Sequence, residues 1–284
     1  MKGIRDRHGR ALAATLYGAD GAAAPLAPAA LEAALRLRRA LPGRAVLCAR
    51  GLEKIFGLVP ARLELKFRNG GKILFNVPAD LPNFISDIDG IILRDQYDAG
   101  SLAGRTVVDA GANIGVFALY ALALGARKVY AFEAVKETFA LLKANLALNR
   151  AGAAVKAVNA ALGRTKGRAE LLYNTRGEGS ASLAGLRPTV NSGITYAGRR
   201  RVEVRPLDSL VKSRPDFIKI DVEGAEEEVL LGAAGLIRRC KPVLSFAAYH
   251  RSSDKKNLPA VVRTLRGDYK IVLNTFAEHD FCCR

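Results

Sequence analysis

The sequence predicts an α/β fold built on a doubly wound, mostly parallel sheet, and two stretches carry that prediction. Residues 106–149 (TVVDAGANIGVFALYALALGARKVYAFEAVKETFALLKANLALN) run apolar strand, glycine turn, helix, second strand, acid and second helix. That is the order of a nucleotide-binding βαβ unit. Residues 216–239 (DFIKIDVEGAEEEVLLGAAGLIRR) add a buried-type strand and a helix. Strands alternating with helices in this way form parallel sheets with helices on both faces.

Each element has its own local reason. Residues 1–24 are small, polar-punctuated and Gly/Ala-rich, which predicts weak order. Pro28 to Leu41 reads as an amphipathic helix, with Leu31, Leu35 and Leu37 set among Arg36, Arg38 and Arg39. Packing on the main domain is its expected use, an anionic membrane surface the alternative. Arg62 to Arg68 alternates with Leu63, Leu65 and Phe67 inward, Asn69-Gly70-Gly71 turns, and Lys72 to Val77 returns, a β-hairpin. Phe84 to Tyr97 is expected to cap the sheet edge. Lys128 to Phe132 forms the second strand, ending on Glu133, and Ala153 to Leu162 the third. Asp216 to Val222 is a further buried-type strand, the fourth, which would lie beside the first if the sheet has the order of the resemblance described below. Its helix opens on Glu226, Glu227 and Glu228 and closes on Arg238 and Arg239, which complements the helix dipole. These readings divide the chain into a basic, partly helical extension (1–61) and a main domain (62–284), itself a hairpin-bearing segment (62–104) followed by the core (105–284).

The turn Asp109-Ala110-Gly111-Ala112-Asn113-Ile114-Gly115 carries the cofactor argument. Gly111 and Gly115 permit a tight turn and close backbone approach. Glu133 falls about 20 residues on, where a carboxylate accepts hydrogen bonds from both hydroxyls of a ribose. The spacing is one residue shorter than G-x-G-x-x-G, and Asp109 at its start repels a pyrophosphate but suits the ammonium of a methionine moiety. No P-loop pattern occurs. S-adenosylmethionine fits best, a nicotinamide dinucleotide second. The expected cofactor contacts are Asp109, Gly111, Ala112, Asn113, Ile114, Gly115, Glu133, Ala134, Asn159 and Ala160, the last two at the end of the third strand where small residues flank a flat adenine. With the fourth strand beside the first, Asp221 at its carboxyl end lies next to Asp109 at the ligand-binding edge. A helix-capping role for it is the plain alternative.

VDAGANIG (108–115), FIKIDVEGAEEEVLLGA (217–233) and NVPADLPNFISDIDGIILRDQYD (76–98) together resemble the FkbM family of S-adenosylmethionine-dependent methyltransferases, over about residues 62–284. The resemblance implies a class I methyltransferase, a Rossmann-like sheet of seven strands, and methyl transfer to a hydroxyl oxygen of a small molecule or saccharide. One departure stands out: in Ala247-Ala248-Tyr249-His250, Ala248 occupies a position where many members carry an acid. A hydroxyl acceptor benefits from a base, and Asp221, Glu223 and His250 are the expected catalytic residues. His250 is the first choice because imidazole titrates near neutrality. Asp221 alternatively serves the methionine end or a divalent cation, and no residue set is assigned to a metal.

Composition bounds the rest. The chain has 284 residues, half of them hydrophobic, enough for a substantial core. Its net charge of +17 favours acidic partners, yet the basic clusters (Arg36–Arg39, Arg199–Arg201, Lys255-Lys256) are dispersed, tryptophan is absent, and no aromatic run for base stacking occurs. An RNA methyltransferase is therefore the second reading and a non-catalytic cofactor-binding scaffold the third. Cys48, Cys240, Cys282 and Cys283 show no zinc spacing, with Cys282-Cys283 expected in a half-buried strand. No spanning apolar run or secretory segment is read, so a cytoplasmic location is expected. Residues 174–200, rich in glycine and serine between strand-like Arg168–Tyr173 and Arg201–Pro206, are expected to be a long loop that selects the acceptor.

Overall fold

A computed structural model of the chain describes residues 4–5, 11–40, 60–67, 71–78, 81–173, 181–186, 196 and 198–284. Asn69 and Gly70 of the expected turn, residues 174–180 and 187–195 of the expected loop, and Cys48 lie outside these residues. In chain order the elements are β1 (Ile4–Arg5), β2 (Ala11–Gly18), β3 (Ala23–Pro25), α1 (Pro28–Ala40), β4 (Pro60–Phe67), β5 (Lys72–Asn76) and α2 (Leu81–Asp87), which runs into a π-helical stretch (Ile88–Leu93). Then come β6 (Thr106–Ala110), α3 (Val116–Ala123), β7 (Lys128–Glu133), α4 (Lys136–Leu148), β8 (Val155–Asn159), β9 (Ala161–Leu162), β10 (Gly167–Tyr173), β11 (Ala181–Leu183) and β12 (Gly198–Arg205). The last are α5 (Leu207–Leu210), β13 (Phe217–Ile220), α6 (Glu226–Gly232), α7 (Ala234–Cys240), β14 (Val243–Ala247), α8 (Asp254–Leu265), β15 (Ile271–Asn274) and β16 (Asp280–Cys283).

Among the described residues the largest sheet has seven strands, in the order β15-β16-β14-β13-β6-β7-β8. β8, β7, β6, β13 and β14 pair in parallel, and β16 runs antiparallel to both its neighbours. The period-2 alternation of a strand divides the core between two faces. Val107, Val129 and Phe217 pack with α3 and α4, whereas Val108, Phe132 and Ile218 pack with α6, α7 and α8. Because both faces are covered, every residue of β6 and β13 is buried, including the charged Asp109 and Lys219 set among apolar neighbours. β6 and β13 are central neighbours, so their carboxyl ends, the glycine turn and Asp221, meet.

The N-terminal region differs from expectation. β2 pairs with β4, with Leu16 opposite Leu63, and residues expected to be weakly ordered extend the hairpin into a five-stranded sheet. Ala14 and Leu16 are buried there; inward alanines contribute too little hydrophobic contrast for the alternation to show in sequence. This sheet runs across the expected 61/62 boundary. α1 forms as expected and packs against α2, its Ala34 and Leu35 in the same core as Phe75 and Phe84. α4 pins the hairpin: Leu74 N donates to Asn149 Oδ1 (2.8 Å) and Asn76 N to Asn145 Oδ1 (2.8 Å).

The segment expected to be a long loop contains strand β11. It pairs with β10 in a second sheet of order β11-β10-β12-β9. The single helix expected over 226–239 is two, because Asp208 accepts hydrogen bonds from Gly235 N and Leu236 N (both 2.8 Å) and so starts α7 afresh. Cys282 and Cys283 are fully buried rather than half-buried. No helix among the described residues is long and apolar enough to cross a membrane.

Candidate active site

The glycine turn is tight because two strand ends converge on it. Gly111 has φ +80°, and a Cβ there would lie 1.8 Å from the Asp221 carbonyl oxygen, so only glycine fits. Glu133 braces the turn from the next strand: its carboxylate accepts from Asn113 N (3.0 Å) and from Val135 N (2.8 Å). Asn145 Nδ2 holds the Ile114 carbonyl (2.9 Å), and Asn159 Nδ2 donates to the carbonyls of Glu133 (2.8 Å) and Ala134 (3.1 Å).

These elements enclose a cleft of about 690 Å³, its open mouth included. It is lined by Gly111, Asn113, Phe132, Glu133, Ala134 and Ala160 from the glycine turn and the ends of the large sheet's strands, by Ala161, Leu171, Ala181 and Leu183 from the second sheet, and by Asp221, Val222, Glu223 and Ala225 from the segment after β13, its acidic end. Seven expected site residues therefore share one cleft: Gly111, Asn113, Glu133, Ala134, Ala160, Asp221 and Glu223. Ala112 and Ile114 are buried within the turn, Gly115 caps α3, and Asn159 braces from behind. The second sheet reaches the acidic end as well: Gly224, at φ +99°, admits the Leu186 carbonyl to a point 2.4 Å from where a Cβ would stand.

Two of the expected residues stand in surroundings that differ from their reading. Asp109, read as facing an ammonium of the cofactor, faces one from the chain itself. It is fully buried, with Lys219 Nζ 3.0 Å from Oδ1. In the parallel register Lys219 lies directly opposite Asp109. Burial works against the charge on Lys219, but Asp109 and Asp221 outweigh it, and its pKa is raised. His250, read as a base titrating near neutrality, is buried among carboxylates. Nδ1 lies 3.0 Å from Glu226 Oε1, and Nε2 lies 3.4 Å from Glu223 Oε2 and 3.7 Å from Asp221 Oδ1. Burial alone would lower its pKa, but Glu226, Glu223 and Asp221 raise it to about 10. These acids favour the protonated imidazole at neutral pH, and His250 is not among the residues that line the cleft.

The neutral-range group is Glu223. Burial, with further repulsion from Asp221, Glu226 and Asp87, pushes its carboxyl up to about 7, although His250 pulls it back. Its φ of +55° sets it in the left-handed region, a strained backbone of the kind found at functional positions. Asp221 is the opposite case. Burial would raise it, but Lys219, His250 and two tyrosines hold it below the usual carboxylate range. Tyr97 Oη donates to its Oδ2 at 2.6 Å and Tyr249 Oη at 3.4 Å. Asp221, Glu226 and His250 also bring ligand-type atoms within 4.8 Å of one another, but His250 could ligate a cation only after losing the proton that these same acids favour.

Sequence reasoning missed Lys219, Tyr97, Tyr249 and Glu226. The available signal was Lys219 itself, a charged residue inside an otherwise apolar strand, two positions before Asp221 and so on the same face.

The charge of His250 has a consequence for stability. Its folded pKa of about 10 exceeds the ordinary 6.5, so its stabilisation is complete below pH 6.5 and is lost as pH rises toward 10. Urea unfolding of wild type and His250→Gln across that window is expected to show the largest gap at pH 6.5, closing toward pH 10. A gap independent of pH would contradict the imidazolium.

The parallel sheet with its antiparallel β16, the glycine turn after β6 and the acids ending β7 and β13 define a class I methyltransferase fold. The family model described as the methyltransferase FkbM domain matches residues 109–281, and the chain belongs to that family. Methyltransferase sdnD of Sordaria araneosa is 32% identical over 164 residues, 48% of this chain and 63% of that protein. Among solved structures, methyltransferase FkbM from Methylobacillus flagellatus KT is 20% identical with a TM-score of 0.49, over 72% of this chain and 54% of that one. A putative rRNA methylase from Clostridium thermocellum is 10% identical with a TM-score of 0.44, over 67% of this chain and 90% of that one. The chain thus covers less than two thirds of the length of sdnD and of the M. flagellatus protein.

Proposed function

We propose that the protein is an S-adenosylmethionine-dependent methyltransferase acting on a hydroxyl oxygen of an uncharged small molecule or saccharide. The observation that carries this reading is a single cleft with Glu133 on its wall and Glu223, a carboxyl poised at about pH 7, at its end. The residues present fit the cofactor. Glu133 keeps acceptor capacity for two ribose hydroxyls beyond its two backbone bonds, the small side chains of Ala134, Ala160 and Ala161 leave room for adenine, and Asp221, whose carboxyl is held below the usual range, suits an ammonium. When bound, the cofactor supplies a methyl group on a positively charged sulfur. Glu223 takes the proton from the acceptor hydroxyl, which makes the oxygen a better nucleophile. Val222, Leu171 and Leu183 supply apolar lining to the same cleft.

The acidic end disfavours a nucleic acid acceptor. Asp221, Glu223 and Glu226 gather there with Asp87 near Glu223, and a phosphate backbone would meet like charge. The arginine cluster at 199–201 is partly neutralised too, since Arg199 pairs with Glu170 (3.5 Å) and Arg200 forks onto Glu137 (2.8 and 3.0 Å). A non-catalytic scaffold would bind cofactor without turnover on any acceptor.

The test is calorimetric titration with S-adenosylhomocysteine, with NAD as control, followed by labelled-methyl transfer to a panel of neutral hydroxyl compounds. Glu133→Ala is expected to weaken S-adenosylhomocysteine binding about 10²- to 10⁴-fold, the loss of two charge-assisted hydrogen bonds. Unchanged affinity would contradict the ribose role. Transfer to RNA, with affinity falling steeply with salt, would replace this reading.

A further inference from the structure

We propose that Lys219 is a positioning residue that presets the glycine turn for the methionine end of the cofactor, an inference that rests on the cofactor reading above. Lys219 is 3% exposed and stands in the middle of β13. Its Nζ donates to the Gly111 carbonyl at 2.5 Å and to the Ala110 carbonyl at 3.3 Å, while Asp109 Oδ1 lies at 3.0 Å. The Tyr97 ring centroid is 5.3 Å away, and the same tyrosine donates to Asp221. One ammonium therefore ties together the last residues of β6, the first glycine of the turn and, through Tyr97, the acid that follows the neighbouring strand β13.

Stability alone does not account for a lysine here. Its strand neighbours Ile218 and Ile220 are fully buried, and replacing a buried ion pair by apolar residues of similar volume is often neutral or stabilising. A hydrocarbon at 219 would fill the space but leave the Gly111 carbonyl without its donor, at the point where the β6–β13 ladder ends. The turn has no slack to absorb that loss, given the 1.8 Å between a Cβ at Gly111 and the Asp221 carbonyl. Lys219 also sits between two carboxylates, Asp109 and Asp221, both of which favour its charge. Without it, neighbouring acids on adjacent strands repel at the floor of the site.

The experiment compares wild type, Lys219→Met and the double variant Asp109→Asn/Lys219→Met by thermal midpoint and by calorimetric titration with S-adenosylhomocysteine. Lys219→Met leaves Asp109 buried and unpaired, so its midpoint is expected to fall. The double variant removes that charge and is expected to recover most of the midpoint, yet to bind S-adenosylhomocysteine at least about tenfold more weakly than wild type, because the Gly111 carbonyl still lacks its donor. Should the single variant fail to fold, the double variant decides. Affinity that recovers together with the midpoint would reduce Lys219 to a structural ion pair and overturn the inference. Wild-type affinity in Lys219→Met would overturn it as well. Failure of the wild type to bind S-adenosylhomocysteine would strike the cofactor reading itself, and this inference with it.

Discussion

Glu223→Gln is expected to lower turnover by about 10²- to 10⁴-fold, the usual contribution of a general base, with S-adenosylhomocysteine affinity nearly unchanged. The substitution keeps size and backbone and removes only the ability to accept a proton. The pH dependence tests the assignment more sharply. Glu223 acts as a base only when ionised, and burial raises its carboxyl from 4.5 to about 7. Wild-type kcat/KM on a hydroxyl acceptor should therefore climb through pH 7 and level above it, and the variant should lose that limb. Stability runs the other way. A carboxyl raised by folding costs nothing below 4.5, where it is protonated in both states, and destabilises increasingly as pH rises through 7. Glu223→Gln should therefore unfold at higher urea than wild type above pH 7, with no difference below pH 4.5. A rate limb that survives in Glu223→Gln would move the base elsewhere.

Gly111→Ala is expected to abolish measurable S-adenosylhomocysteine binding and lower the thermal midpoint. Two costs combine. A side chain at φ +80° strains the backbone by about 1–2 kcal/mol, and the added methyl would lie 1.8 Å from the Asp221 carbonyl. Backbone on either side must separate, and that displaces the end of β13, where Asp221 and Glu223 begin. Gly152→Ala is the control: nothing lies within 4 Å of a Cβ there, so an effect within about 0.5 kcal/mol is expected. Differential scanning calorimetry and titration of both variants make the comparison. If Gly111→Ala bound like wild type, the convergence of the two strand ends would not be what shapes the site.

The βαβ unit was legible because everything that defines it is local. Strand, turn and helix lie within a few dozen consecutive residues, glycines mark where φ must be positive, and the distance from Gly111 to Glu133 follows from the length of one helix and one strand. The same holds for the hairpin, for α1, and for Asp221 at a strand end. Where side-chain contrast was weak, the reading failed: the alanine-rich β2 and the short β11 draw their stability from partners, Leu63 opposite Leu16 and Leu171 opposite Leu183, and neither is visible in the segment itself.

What consecutive residues and their periodicity specify is the alternation of strands and helices, the glycine turn and the acids at the strand ends; that β13 lies beside β6 followed from the family resemblance and is set by strand pairing. Only the tertiary structure decided what those acids do. Asp109 pairs with Lys219, 110 residues away, because strand register sets them opposite each other. His250 becomes a cation and Glu223 the neutral-range group because three carboxylates from the loop and helix after β13 converge on one imidazole after β14. Charge in a buried site depends on distance and desolvation, which follow from packing between elements and are not written in any one of them.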